Sequence, residues 1–194
     1  MNIHKLLFDN NISLPFSLGE EIGRGADGQL FNYQDKVLKL SIIFDYPYAP
    51  YEKEYERIKS VLSYLINRVP STYARVSEFG DIFRGKREEQ RFIVFYSLIE
   101  KCFPLSEDER KVFHSLVSHE DAGRRKNYSL IEAINISFAL SKGLDFNIEK
   151  VILFLFRLSI NNDIRHNDIC PRNIMKNKFG DFVLIDFDRV SCIQ

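Results

Sequence analysis

The sequence predicts an α+β protein whose first half is rich in strands and whose second half is mainly helical. Apolar and polar residues alternate along two runs within 16–43, and again along 74–83 and 91–100, as they do in half-buried strands. From Pro104 onward, apolar residues recur at helical spacing behind residues that cap helices. The two patterns meet between Glu100 and Pro104, so we expect the chain to divide there.

The strand-rich half also contains two helices. The segment 2–9 predicts a short N-terminal helix, and 49–69 predicts an amphipathic helix that starts near Pro50. Between them we expect a β-hairpin that is entered through a glycine-rich segment and turns near Gln34. A polar turn over 84–90 joins the two later strands.

The second half predicts three helices and one short hairpin. Ser106 is followed by acidic residues, which is typical of a helix N-terminus. The next helix, over 129–143, opens with a capping-box spacing and ends at a glycine. The third, over 147–162, is apolar on nearly all sides and should be buried. Two short strands are expected on either side of Gly180.

Composition narrows the class of protein. With 45% hydrophobic and 28% charged residues, the chain resembles ordinary soluble proteins. Its formal net charge of zero argues against nucleic acid as a partner, because such binders carry basic surfaces. The cysteines Cys102, Cys170 and Cys192 form neither a metal-binding spacing nor an even set for disulfides. The longest apolar run, 151–156, is too short to span a membrane, so we expect a cytoplasmic protein.

Three glycines, Gly23, Gly25 and Gly28, follow the spacing G-x-G-x-x-G. The segment is not a convincing dinucleotide fingerprint, because a strand rather than a helix follows it. A glycine-rich turn between strands can bring its backbone N–H groups close to phosphate oxygens. Leu30 then lies at the start of the following strand. An ordinary turn without a ligand is the alternative.

Lys39 lies in an apolar strand, on the face that it shares with Val37. A lysine there needs a partner or water, and one interpretation is a phosphate-binding cation whose counter-ion is a carboxylate of the next helix. Glu52, Glu54 and Glu56 compete for that role. We favour Glu54, because its spacing places it on the apolar face of the helix. The alternative is a lysine that extends from an edge strand into solvent.

The segment RHNDICPRNIM, residues 165–175, has the most informative spacing in the chain. Asp168 and Asn173 are five positions apart around Pro171, so we expect both on a loop. A carboxylate there can accept a proton from an attacking hydroxyl, and an asparagine oxygen can bind a hard cation such as Mg²⁺. We interpret His166 as a structural residue that supports the loop through hydrogen bonds.

A second carboxylate, Asp186, follows the apolar run that ends at Ile185. An aspartate at the end of a strand is a suitable ligand for a divalent metal. A helix cap or a turn is the alternative for this residue.

Together, these segments resemble the protein-kinase superfamily. GRGADG stands at the place of the family's glycine-rich loop, and VLK at the place of its lysine strand. HNDICPRN matches the family's H-R-D-x-x-x-x-N at the His, Asp and Asn positions, and DFD stands where D-F-G is expected. The order is that of the family, and the resemblance covers about residues 15–190.

The resemblance implies a two-lobed protein-kinase-like fold. An N-terminal extension over 1–14 would precede an N-lobe over 15–100, made of an antiparallel sheet and one helix. A mainly helical C-lobe would occupy 101–194 and lack the helices that follow the activation segment in ordinary kinases. That truncation resembles minimal effector kinases that bacterial pathogens inject into a host cytoplasm. In that family the missing helices also stabilise the lower lobe. Because a lobe this small buries little apolar area, we also expect a protein partner that stabilises it and raises its activity.

The resemblance also implies ATP and Mg²⁺ as cofactors. Asp168 would face the acceptor hydroxyl, Arg172 would place positive charge near the transferred phosphoryl group, and Asn173 and Asp186 would hold the metal. Lys39 would contact the phosphates. The remaining nucleotide-binding positions implied are Gly23, Gly25, Gly28, Leu30, Val37, Glu54, Phe95, Tyr96, Leu98 and Met175.

Within that set, the adenine contacts are the most specific expectation. Val37 would form the roof above the ring and Met175 the floor below it. Phe95 would precede the hinge, and the backbone from Tyr96 to Leu98 would offer the adenine its hydrogen bonds. Plain core packing is the alternative for each of these positions.

The chain departs from the family pattern at several positions. Asn167 replaces the Arg of H-R-D, Cys170 stands where Ser/Thr kinases keep a Lys, and Asp188 replaces the Gly of D-F-G. We expect Mg²⁺-dependent transfer of the γ-phosphoryl group of ATP to a protein Ser/Thr. One alternative is a small-molecule or sugar kinase, since IDFDR resembles the lipopolysaccharide kinases of bacteria. Another is a pseudokinase that binds partners without turnover.

Overall fold

The computed structural model describes residues 2–25, 28–46, 48, 50–68, 70–122, 147–160, 163–187 and 190–192. The helix predicted over 129–143 and the residue Asp188 lie outside these ranges. The described residues contain four α-helices and a five-stranded antiparallel sheet, so the α+β prediction is confirmed. The chain divides into two compact units, one of Met1–Val69 with Arg75–Lys101 and one of Pro70–Ala74 with Cys102–Gln194.

The first unit is built on the five-stranded sheet. Its strands, in chain order, are β1 (Glu21–Arg24), β2 (Gly28–Tyr33), β3 (Lys36–Phe44), β4 (Val76–Arg87) and β5 (Gln90–Glu100). They are arranged as β1-β2-β3-β5-β4, and every neighbouring pair is antiparallel. The predicted turn near Gln34 is confirmed, and Gln34 has a positive φ of 55°.

Two helices pack against the sheet, on opposite faces. The first, α1 (Ile3–Asp9), buries Ile3 and Leu7 in a cluster with Leu38 and Leu40 of β3. The second, α2 (Tyr51–Arg68), contacts β3, β4 and β5. Side chains alternate along a strand, so the face next to α2 is the one that carries Lys39. The sequence set residues 1–14 apart as an extension, whereas α1 is part of the core of the first unit.

The amphipathic pattern of α2 appears in the structure as predicted. Its buried residues are Tyr51, Tyr55, Ile58, Val61, Leu62 and Leu65, which form one stripe at helical spacing. Tyr55 packs its ring against that of Phe95, with 5.4 Å between the ring centroids. The helix is therefore held on the sheet by apolar burial.

The polar turn predicted over 84–90 is mostly strand. Pairing continues as far as Arg87 opposite Gln90, so only Glu88 and Glu89 form the turn. A strand with one face in water can be charged and still pair through its backbone. The charge pattern therefore gave no sign that the strands extend this far.

The second unit combines two helices with two small sheets. Its helices are α3 (Glu107–Ala122) and α4 (Ile148–Ile160). The strands are β6 (Ile164–His166), β7 (Ile174–Lys176), β8 (Phe182–Leu184) and β9 (Val190–Cys192), paired as β6 with β9 and β7 with β8. The predicted hairpin around Gly180 is confirmed as β7 and β8, whereas β6 and β9 were not predicted.

The helix start predicted at Ser106 is confirmed, and its hydrogen bonds form a capping box. The Ser106 hydroxyl accepts a bond from the N–H of Glu109 at 3.2 Å, and the Glu109 carboxylate accepts one from the N–H of Ser106 at 2.6 Å. These bonds satisfy N–H groups that have no partner within a helix.

The prediction that the last helix is buried is wrong for part of its surface. Val151 and Phe154 of α4 are buried, but Leu153, Phe156 and Ile160 are exposed. Phe154 packs edge-on against Phe113 of α3 and Phe182 of β8. One face of α4 thus joins α3 to the β7–β8 hairpin.

Candidate functional site

His166 joins two segments of the second unit. The N–H of Asp168 donates to His166 Nδ1 at 3.1 Å, and His166 Nε2 lies 3.1 Å from the carbonyl oxygen of Ile185. Because Nδ1 accepts a bond, the ring proton is on Nε2, which donates to Ile185. The ring is buried and stacks on Tyr73. The predicted structural role of His166, which is to support the loop by hydrogen bonds, is confirmed.

Asn173 ties the loop to its own start. Its Nδ2 donates to the carbonyl oxygen of Asp168 at 2.8 Å and to Asp168 Oδ2 at 3.2 Å. The residue is only 4% exposed and ends a 3₁₀ turn over Pro171–Asn173, whereas the sequence placed it in irregular loop. Both bonds use the amide nitrogen, so the amide oxygen Oδ1 remains an acceptor for another group.

Asp168 is flanked by one cation and one thiol. Arg172 donates to Asp168 Oδ2 at 3.1 Å, and this bond raises the pKa of Arg172. Burial, and secondarily the charge of Asp168, raises the pKa of the Cys170 thiol. A thiol with a raised pKa is a poor nucleophile at neutral pH. Asp168 is therefore the better candidate for chemistry in this loop.

Asp186 follows Ile185, whose backbone N–H and carbonyl groups are both hydrogen-bonded. The N–H of Ile185 donates to the carbonyl oxygen of Asn173 at 2.8 Å, and its carbonyl accepts the bond from His166. Asp186 itself has a φ of 65°, which few residues other than glycine adopt. Such strain concentrates at functional sites.

The second unit therefore brings three of the predicted site residues together. Asn173 donates a hydrogen bond to Asp168, and Asp186 directly follows Ile185, whose N–H donates to the Asn173 carbonyl. Met175 lies on β7 opposite Val183 and is partly buried.

An ion pair joins β7 to the start of α3. Lys176 Nζ lies 2.8 Å from Glu109 Oε2, and both side chains are largely buried. Burial alone would raise the pKa of Glu109, but the bonds from Lys176 and from the N–H of Ser106 hold that pKa below its ordinary value. The sequence did not indicate this pair, because its members are far apart in the chain.

The glycine-rich turn of the first unit is closed by a hydrogen bond from the N–H of Gly25 to the carbonyl oxygen of Gly28, at 2.9 Å. Gly23 and Leu30 are opposite each other on the flanking strands. A Cβ atom on Gly28 would lie 3.2 Å from Lys39 Cε and 3.2 Å from the Leu40 carbonyl oxygen. The absence of a side chain at Gly28 thus lets the turn approach Lys39 closely.

Lys39 is paired in the sheet with Leu30 on one side and Ser97 on the other. The lysine is therefore in an interior strand, which excludes the edge-strand alternative. Val37, two residues earlier, is partly buried on the same face.

Glu54 is at the border of the buried face of α2 rather than within it. Its side chain is 41% exposed, and it forms an ion pair with Arg57 at 2.6 Å. The sequence pattern did not predict that pair with Arg57.

The predicted hydrogen bonds to adenine from the backbone of Tyr96–Leu98 are not supported. β5 lies between β3 and β4, and Tyr96 is opposite Leu40 on one side and Gly80 on the other. Ladders on both sides occupy the N–H and C=O groups of this stretch. Phe95 is buried against Tyr55. The strand continues to Glu100, as the alternation along 91–100 predicts.

Two negative findings concern the described part of the chain. No group of three or more His, Cys, Asp or Glu side chains there is placed to hold a metal ion. No helix among those residues has the length and apolarity that crossing a membrane requires.

A scan against protein-family models finds no match, and a search of curated proteins finds none either.

Proposed function

We propose that this chain is an ATP- and Mg²⁺-dependent phosphotransferase that moves the γ-phosphoryl group to a hydroxyl, with a protein Ser/Thr as the favoured acceptor. The observation that carries the proposal is the bonding of Asn173. Its nitrogen locks the carbonyl and carboxylate of Asp168, which leaves Oδ1 for a cation. Loop geometry and metal binding thus come from one side chain.

The residues at this loop fit a Mg²⁺ ion. Mg²⁺ prefers oxygen ligands and is usually held by one or two carboxylates together with substrate phosphates. Asn173 Oδ1 and the Asp186 carboxylate would supply the protein's share, so a cluster of three acidic side chains is not required. The ion would neutralise charge on the phosphates.

Asp168 would receive the proton of the acceptor hydroxyl. The hydrogen bonds from Arg172 and Asn173 both involve Oδ2, so Oδ1 is the oxygen that would accept the proton. Arg172 is exposed beyond the carboxylate and would place positive charge near the transferred phosphoryl group.

The first unit would supply the contacts to ATP. Backbone N–H groups of the turn that contains Gly23, Gly25 and Gly28 would bind phosphate oxygens, and Lys39 would add its ammonium group. Val37 remains a proposed contact of the adenine ring. Glu54 remains the proposed counter-ion of Lys39.

Transfer of label from γ-labelled ATP tests the proposal. Wild type is compared with Lys39→Ala in the presence of Mg²⁺, with generic protein substrates and with simple sugars as acceptors. We expect labelled protein with the wild type and a loss of about 10²–10³ in rate for the variant. Lys36→Ala is the matched control, because Lys36 is in the same strand on the other face.

Equal rates in folded wild type and Lys39→Ala would sink the assignment. Label that appears only in the sugars would move the acceptor to a small molecule. Binding of ATP without any transfer would favour the pseudokinase alternative.

A further inference from the structure

A chain of side-chain hydrogen bonds joins α1 to the glycine-rich turn. The N–H of His4 donates to Gln29 Oε1 at 3.0 Å, and Gln29 Nε2 donates to Glu21 Oε2 at 3.0 Å. Glu21 also accepts two bonds from Arg24, each at 2.8 Å. Arg24 stands between Gly23 and Gly25, so the chain of bonds reaches into the turn.

Gln29 is the buried residue in this series of hydrogen bonds. It is 0% exposed and lies on β2 between Gly28 and Leu30. A buried amide is costly unless its polar atoms are bonded, and here the oxygen bonds α1 while the nitrogen bonds β1. An apolar side chain of similar size would fill the space but could make neither bond.

The register of the sheet places this link at the base of the turn. Gln29 is directly opposite Arg24 in the β1–β2 ladder, and the next bond outward is the one from Gly25 N–H to Gly28. A displacement at Gln29 or Arg24 would therefore alter the backbone that closes the turn.

Core packing holds α1, which carries the His4 N–H, against the sheet. Leu7 and Ile3 of α1 are buried against Leu38 and Leu40, and His4 packs edge-on against Phe31 of β2. Undocking α1 would expose this apolar cluster, so the position of the His4 N–H is set by core packing. That packing gives the link a fixed point.

We propose that Gln29 is a positioning residue that couples the docking of α1 to the shape of the glycine-rich turn, and thereby to its affinity for the phosphates of ATP. The identity of the ligand as ATP rests on the proposed function. The coupling between α1 and the turn does not depend on that identity. The N-terminal segment thus becomes part of the nucleotide-binding apparatus.

Gln29→Leu tests the coupling in the full chain. Loss of both bonds should raise the hydrogen-exchange rate of the Gly25 amide by about tenfold. It should also raise the KM for ATP by about three- to tenfold and leave kcat within about twofold, since the acceptor-activating residues are elsewhere. Lys5→Ala is the matched control, because it removes only the exposed Lys5–Asp9 pair of the same helix, and it should change neither quantity.

Glu21→Gln is a second variant in case Gln29→Leu does not fold. Glu21 is partly exposed, and the change keeps an oxygen for Gln29 but removes the charge that holds Arg24. We expect the same direction of change with a smaller size. Unchanged Gly25 exchange in the folded variants would overturn the coupling, and faster exchange with an unchanged KM would overturn its role in binding.

The two proposals fail in different ways. If the wild type neither binds ATP nor transfers its phosphoryl group, the proposed function fails and the coupling is decided by Gly25 exchange alone. If the wild type transfers phosphate but Gln29→Leu behaves as Lys5→Ala does, only the coupling fails.

Discussion

The side-chain amide of Asn173 donates a 2.8 Å hydrogen bond to the backbone carbonyl of Asp168, five positions earlier in the chain. This bond closes the loop that carries Arg172 and the raised-pKa thiol Cys170. It also fixes the direction in which the amide oxygen points. The shape of the loop and the availability of a metal ligand are thus set together.

Asn173→Ala should lower the free energy of unfolding by about 1–3 kcal/mol, because the partly buried carbonyl of Asp168 loses its partner. It should also abolish phosphotransfer, since the proposed metal ligand is removed. Thermal melting and label transfer are the measurements. Asn167→Ala is the control, since the side chain of Asn167 is exposed and donates a bond to the Ser191 hydroxyl at 3.3 Å. A melting temperature equal to that of the wild type would contradict the bonding described here.

Cys170 should react with iodoacetamide more slowly than Cys192 at pH 8. Burial and the charge of Asp168 raise the pKa of Cys170, so less of it is thiolate at a given pH, whereas Cys192 is exposed. Mass spectrometry of the modified peptides gives the two rates. Asp168→Asn removes the negative charge and should speed the reaction of Cys170, and a slower reaction in that variant would refute the electrostatic part of the argument.

Because of the Glu109–Lys176 pair, the free energy of unfolding should depend on pH under acidic conditions. The pKa of Glu109 in the folded protein is lower than its ordinary value of 4.5. Its stabilising contribution is therefore fully present above pH 4.5 and is lost as pH falls through the folded value. Urea unfolding from pH 7 to pH 3 should show a difference between wild type and Glu109→Gln that is constant near neutrality and shrinks in acid. A difference that grows in acid would contradict the sign of the shift.

Removing the cation of that pair should lower the free energy of unfolding. Lys176→Met leaves a buried carboxylate at Glu109 without its ion-pair partner, which should cost about 3 kcal/mol. Lys178→Met is the control, because Lys178 is exposed on the β7–β8 turn. Equal unfolding free energies for the two variants would show that the pair contributes nothing.

Local features of this chain were predictable from sequence. The apolar stripe of α2, the start of α3 at Ser106 and the β7–β8 hairpin depend on residues a few positions apart, and each is found. The spacing of Asp168 and Asn173 also pointed to a shared loop. In each case the physical cause lies within one element or one turn.

Features that depend on distant partners were not predictable. The pairing of β5 on both edges removed the expected hydrogen bonds from Tyr96–Leu98, and no local pattern reports which strands flank a given strand. The role of Ile185, which bonds through its backbone alone, leaves no trace in residue type. Gln29 looked like one polar position of an alternating strand, because its partner on α1 is 25 residues away.

We propose that Asp168 acts on the acceptor hydroxyl while Asn173 and Asp186 hold the metal of the nucleotide. The most direct test is a single-turnover measurement of phosphoryl transfer from Mg²⁺-ATP by Asp168→Asn, with ATP affinity measured by calorimetry on the same sample. For Asp168→Asn we expect an ATP affinity within about threefold of wild type and phosphoryl transfer slowed by about 10²-fold or more. Preserved transfer with a large loss of ATP affinity would contradict this proposal.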